Sequence, residues 1–149
     1  MIARTATDFD LDRFVAAQAG TYESALAELR AGRKTGHWIW FVFPQVAGLG
    51  RSDLSRRYAI SSLEEARAYL DHPLLGPRLL ESAAAVLAAS GASAQAILGP
   101  IDAVKLRSSM TLFHRAAPDE AIFGDVIERF YGGRPDAMTD QILGSAAPG

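Results

Sequence analysis

"GRKTGHWIWFVFPQ" (residues 32–45) is the stretch on which the fold turns. Its fourteen residues hold two tryptophans, two phenylalanines, a histidine, an arginine and a lysine. Read as a strand, it would put Trp38, Trp40 and Val42 on one side and Ile39, Phe41 and Phe43 on the other. Both sides are apolar, so that strand would have to be covered twice. No other segment alternates as a partner strand would, and a lone strand leaves its backbone groups unsatisfied. A short buried helix ended by Pro44 needs no partner. The helix reading is preferred, against the β-rich propensity of these residues. The fold class follows: mainly α, in one layered domain.

Helix signals surround the stretch. "LDRFVAAQ" (Leu11 to Gln18) reads as a first helix, with Asp8 and Asp10 as candidate caps. "TYESALAELRAG" opens on Thr21, repeats Tyr22, Ala25, Leu26 and Leu29 at helical spacing, and stops at Gly32. "SLEEARAYL" carries a capping box, Ser62 with Glu65, and ends before Pro73. "PRLLESAAAVLAAS" has Pro77 near its first turn and Gly91 past its end. A short turn, "SAQAIL", leads to "GPIDAVKLRSSMTLFHRA", a long helix between Pro100 and Pro118. "DEAIFGDVIERFYGG" closes on Gly132 and Gly133, and a last short helix surrounds "DAMTDQIL". These marks give about seven to eight helices. They form one domain over residues 8–143, with loose termini at 1–7 and 144–149.

Composition fits that picture. At 149 residues the chain buries roughly two-thirds of its unfolded surface, enough for a core without staples. With no cysteine there is no disulfide scaffold, thiolate nucleophile or cysteine-ligated zinc. The N-terminus lacks a signal-peptide core, and no apolar run approaches the ~20 residues that span a bilayer. A cytoplasmic protein without a membrane partner is expected. The net charge of −2 does not suit sequence-specific nucleic-acid binding.

Charge is unevenly spread. Arg30, Arg33, Lys34, Arg51, Arg56 and Arg57 lie in one segment whose sole acid is Asp53. That segment contains the aromatic stretch, so an anionic small molecule would be drawn there. The alternative is a set of solvated arginines beside a buried segment. His37, at the polar edge of the stretch, could serve as general acid or base, or simply sit satisfied at a helix start. Trp38 and Trp40 project about 200° apart on a helix. One can anchor the core while the other lines a cleft and stacks a planar anion. The loop "PQVAGLGRS", from Pro44 to Ser52, could aim backbone N–H groups at a phosphate, with Gln45, Arg51 and Ser52 beside them. It has neither a dinucleotide fingerprint nor a P-loop lysine, and most such loops are only turns.

The second dense region is "DAVKLRSSMTLFHR" (residues 102–115). Ala103, Leu106, Met110 and Phe113 make a buried stripe, with Asp102, Lys105 and Ser109 on one flank. Two serines mid-helix, Ser108 and Ser109, are poor helix formers and ask for a reason. Either they and Lys105 face a ligand, or Asp102 and Lys105 pair on the surface and the serines permit close helix contact. His72 and His114 are scattered, so no metal and no cofactor are expected.

"RFVAAQ", "ELRAGRKTGHWIWFVFPQVAGLGRS", "YAISSLEEARAYLDHPLLGPRL" and "KLRSSMTLF", with a late "F…GG…D", resemble the DUF1810 family over residues 8–143. The resemblance implies a small, mostly helical cytoplasmic domain and brings no catalytic residues with it. The family's recurrent polar residues correspond here to Gln18, Lys34, His37, Gln45, Ser52, Lys105, Ser108 and Ser109. Some members carry the label calpastatin. That inhibitor is disordered, whereas this chain has capped helices and a large apolar fraction. A fainter similarity, Phe14 to Gln18 as F-x-x-A-Q, is to the NADAR family, which acts on ADP-ribosylated guanine.

Together these residues describe a cleft between the segment Lys34–Ser52 and the helix bearing Lys105–Ser109. An anionic, nucleotide-like or ADP-ribose-like molecule would occupy it. His37 and Lys105 are the candidates for proton transfer, in a metal-independent hydrolase or glycosidase reaction. Gln18, Arg33, Lys34, Trp38, Trp40, Gln45, Arg51, Ser52, Ser108 and Ser109 are the candidates for binding. The alternative is an interaction module in which the Trp-rich segment docks a protein or a second copy, giving a homodimer.

Overall fold

The computed structural model describes residues 9–89 and 92–146. Among them the chain forms ten helices and no strand. They are α1 (Asp12–Gln18), α2 (Tyr22–Arg30), α3 (Ile39–Val42), α4 (Asp53–Arg57), α5 (Leu63–Asp71), α6 (Leu75–Ala88), α7 (Ala94–Leu98), α8 (Pro100–Ala116), α9 (Ala121–Tyr131) and α10 (Ala137–Ala146). The expected seven to eight become ten because α4 and α7, of five residues each, are helices in their own right. The last helix also runs three residues beyond the expected end at 143. Gly91 and Asp8, two expected helix punctuators, lie outside the described residues.

The aromatic stretch is helical only from Ile39 to Val42. Just after it, one isolated parallel bridge joins Val46 to Ile60. The Ala47 N–H donates to the Ile60 carbonyl, and the Ile60 N–H to the Gln45 carbonyl, each at 2.8 Å. One bridge satisfies the backbone here without a sheet.

The expected capping box forms. Ser62 Oγ accepts from the Glu65 N–H, while the Glu65 carboxylate reaches back to the Ser61 N–H at 2.7 Å. Ser52 and Ser93 cap α4 and α7 in the same way. Thr21 stands at the N-cap of α2 but accepts no hydrogen bond there, because its backbone is already helical at ψ −33°. Asp10 does not cap α1 either; Leu11 holds that place without a side-chain bond. His72 Nδ1 takes the cap role for α6, accepting from the Leu74 and Leu75 N–H groups. At this corner a Cβ on Gly76 would lie 2.0 Å from the Leu70 carbonyl oxygen, so only glycine lets α5 and α6 approach so closely.

The core is organised around α8, which packs against α5, α7, α9 and α10, while α6 packs against α2, α5 and α9. From Ser108 to Phe113 every residue of α8 is buried. The two serines are therefore small residues in the middle of a helix enclosed by others. Ser108 Oγ bonds back to the Val104 carbonyl at 3.2 Å, and Ser109 Oγ is buried without a partner among the described residues. Trp38, Ile39, Val42 and Phe43 belong to the same core. Arg13 ties α1 to α5 through the Glu65 carboxylate (3.0 Å) and the Ala59 carbonyl (2.7 Å).

Candidate functional site

A cleft of about 500 Å³ opens between the loop Gln45–Gly50, the first half of α8 and the start of α10. Its lining is Gln45, Leu49, Gly50, Pro100, Ile101, Val104, Lys105, Ser108, Asp136 and Met138. Each wall is anchored by bonds already in the fold. The loop is held by the Val46–Ile60 bridge. A Cβ on Gly50 would lie 2.4 Å from Ser55, so the loop's close approach to α4 requires glycine there. The start of α10 is fixed to α8 by the Asp136 N–H, which donates to Thr111 Oγ1 at 2.8 Å. Arg115 adds a two-pronged pair with Asp140 at 2.8 and 3.0 Å. Asp136 caps α10, accepting from the Thr139 N–H and hydroxyl.

The wall is chiefly apolar. Ile101 (71% exposed), Val104 (59%) and Met138 (53%) are three of the five large apolar residues that reach solvent among the described residues. Among the described residues, Lys105 is the single cationic side chain lining it. Its ammonium lies 3.5 Å from Asp102 and 5.7 Å from the centre of the Trp40 ring. Asp102 is more tightly engaged by Lys34, at 2.7 Å. One carboxylate thus faces two ammonium groups, and the more distant of them, Lys105, borders the cleft.

Behind this wall lies a partly buried polar assembly. Lys34, with 8% of its side chain exposed, also donates to the Gly36 carbonyl and sits 5.1 Å from the Trp38 ring. Its N–H donates to the Ile97 carbonyl at 2.7 Å, joining this loop to α7. The Glu28 carboxylate collects three donors: Thr35 N–H at 2.7 Å, Gly36 N–H at 2.8 Å and the Trp38 indole at 2.9 Å. Burial pushes the Glu28 carboxyl up, but these donors outweigh it and hold it down to about 2.

Of the residues singled out from sequence, Gln45, Lys105 and Ser108 line the cleft. Trp40 is half-buried and touches it through Lys105; its indole Nε1 is buried without a partner. Lys34 and Trp38 are interior and serve the fold. Gln18 is interior too, donating to the Phe41 carbonyl at 2.7 Å and the Tyr69 hydroxyl at 3.2 Å while accepting from Arg78. Ser52 is spent on its cap and Ser109 is enclosed. Arg33, His37 and Arg51 are exposed and do not line the cleft, so His37 and Lys105 are not brought together there.

Sequence reasoning missed Leu49, Pro100, Ile101, Val104, Asp136 and Met138. A signal existed for two of them. Ile101 and Val104, with Lys105 and Ser108, fall about half a turn from the Leu106–Met110–Phe113 stripe at ~100° per residue. Apolar residues on the face opposite the buried one mark a second surface.

Comparison with known proteins adds a lineage. The family described as protein of unknown function DUF1810 matches residues 8–143. The chain belongs to the DUF1810 family. The DUF1810 chain is also similar to the crystal structure of a conserved hypothetical protein, Rv1873, from Mycobacterium tuberculosis. The two are 55% identical with a TM-score of 0.91, over 92% of this chain and 98% of that one. No curated protein matches it. No described helix is long and apolar enough to cross a membrane.

Proposed function

We propose that this DUF1810 domain binds an anionic small molecule in the cleft between the Gln45–Gly50 loop and α8. The observation that carries the reading is Lys105: a cation at the edge of an apolar hollow, whose nearest carboxylate is already claimed by Lys34. The volume lies within the range of about 300–1,000 Å³ usual for ligand pockets. Gln45 and Ser108 add polar groups that can orient a ligand. The reading is one of binding and includes no chemical step, since His37 stands outside the cleft.

The test is thermal unfolding against a panel of nucleotides, ADP-ribose and organic acids. A ligand at one hundred times its Kd stabilises by about 2.7 kcal/mol, a rise of several degrees in Tm. Lys105→Met should abolish that rise and leave the unliganded Tm within a degree or two. An unchanged shift in Lys105→Met would place the ligand elsewhere.

The partner-docking alternative has one observation in its favour, and it is not the Trp-rich segment, whose side chains are core apart from Trp40. It is the exposure of Ile101, Val104 and Met138 on one rim. Sedimentation of wild type against Val104→Asp addresses it. A self-association that the substitution dissolves would favour a second copy.

A further inference from the structure

The cleft's charge and surface together select among anions, an inference that rests on the binding reading above. We infer that its ligand is a small monoanion with an apolar body, such as an aryl or medium-chain carboxylate, and not a diphosphate such as ADP-ribose.

Charge comes first. Lys105 is the cationic side chain of the lining, and Asp136 stands on the same lining with no ion pair to it. Asp136 uses one carboxylate oxygen to cap α10. A ligand with one negative group can meet Lys105 and stay clear of Asp136. A diphosphate brings two or more charges to one lysine and one aspartate, and the second charge finds no cation. Lys34 cannot supply it, since Asp102 and the Gly36 carbonyl hold it inside.

The surface comes second. Sites that grip diphosphates cover them with backbone N–H groups and basic side chains. Here the lining is Leu49, Pro100, Ile101, Val104 and Met138, with the amide of Gln45 and the hydroxyl of Ser108. Ser108 already donates to Val104, so it offers a lone pair and no donor, and the charged end of any anion is left to Lys105. An apolar body removes the Ile101, Val104 and Met138 side chains from water, and its carboxylate pairs with Lys105. Trp40 completes the arrangement as a reporter. Its ring lies 5.7 Å from the Lys105 ammonium, so pairing of that ammonium with a ligand changes the field at the indole.

Isothermal titration with 3-phenylpropionate, its amide, decanoate and ADP-ribose, beside tryptophan emission, decides the matter. The expected result is that a carboxylate binds at least tenfold more tightly than both its amide and ADP-ribose. Lys105→Met and Val104→Asp should each weaken it at least tenfold, and Asp136→Asn should narrow the gap to ADP-ribose. Leu74→Ser, which removes an exposed apolar side chain outside the cleft, should leave binding intact. If ADP-ribose binds more tightly and depends on Lys105, this inference is overturned while the binding reading stands. If no member of the panel binds, or Val104→Asp dissolves a dimer that had filled the cleft, both fall.

Discussion

At the scale of single residues, the chemistry of Glu28, Lys34 and Trp38 is committed to structure. Glu28 draws Thr35, Gly36 and Trp38 onto one carboxylate and so fixes the loop that delivers Lys34 to Asp102. Folding lowers this carboxyl from 4.5 to about 2. A depressed carboxyl gives stability that is fully present above 4.5 and is lost as the pH falls toward 2. Urea unfolding at pH 7, 4.5 and 2.5 should therefore show wild type converging on Glu28→Gln as the pH drops. Equal spacing of the two at every pH would remove the account. Tyr22 and Tyr69 are displaced upward, beyond the usual phenolic range, chiefly by burial, with Glu81 adding to the effect at Tyr22. They act as neutral hydrogen-bonding groups throughout the physiological range. Ser109 is the opposite kind of residue, a hydroxyl enclosed without a partner. An unpaired buried hydroxyl costs about 1–3 kcal/mol, against a small void left by its removal. Ser109→Ala should raise stability by about 1 kcal/mol in a denaturant titration. The same change at Ser108, which has its bond to Val104, should be neutral or slightly destabilising.

At the scale of elements, a signal was legible where one side chain meets a backbone group three residues away. Ser62 accepts from the N–H expected, and Ser52 and Ser93 follow the same pattern three residues ahead. Ser62→Ala should cost about 1 kcal/mol by chemical denaturation, the usual worth of such a cap. Thr21 failed because the cap also needs extended backbone, and that torsion is set by the turn from α1. The helices α3 and α7 were harder to read, since one turn of helix owes its existence to its neighbours. α3 is held by burial of Ile39 and Val42 rather than by propensity. Within α8, sequence placed the Ala103–Leu106–Met110–Phe113 stripe correctly. It did not show that the helix is enclosed on all sides from Ser108 to Phe113, because polar residues there gave it the look of a half-exposed helix.

At the scale of the whole molecule, the two dense regions do meet, though by fewer residues than their composition suggested. Gln45 from the loop and Lys105 and Ser108 from the helix face one hollow. The basic character of the Arg30–Arg57 segment is spent elsewhere: Lys34 inside, Arg33 and Arg51 in solvent. A count of charges along the chain cannot tell a buried ion pair from a free cation, and that difference changes the ligand class. Asp136 and Met138 were beyond reach because they enter through α10, far along the sequence, pinned by Thr111 and Arg115.

The helix that offers Ile101, Val104 and Lys105 to solvent is continuous with the one whose next turns are sealed in the centre of the protein. Amide hydrogens from Ser109 to Phe113, which do not line the cleft, can exchange with solvent only when the domain opens as a unit. Occupation of the rim should therefore slow exchange at these distant, untouched amides by the same factor that it favours the closed state. A mass-spectrometric exchange time course would then register an occupant through protons it never contacts.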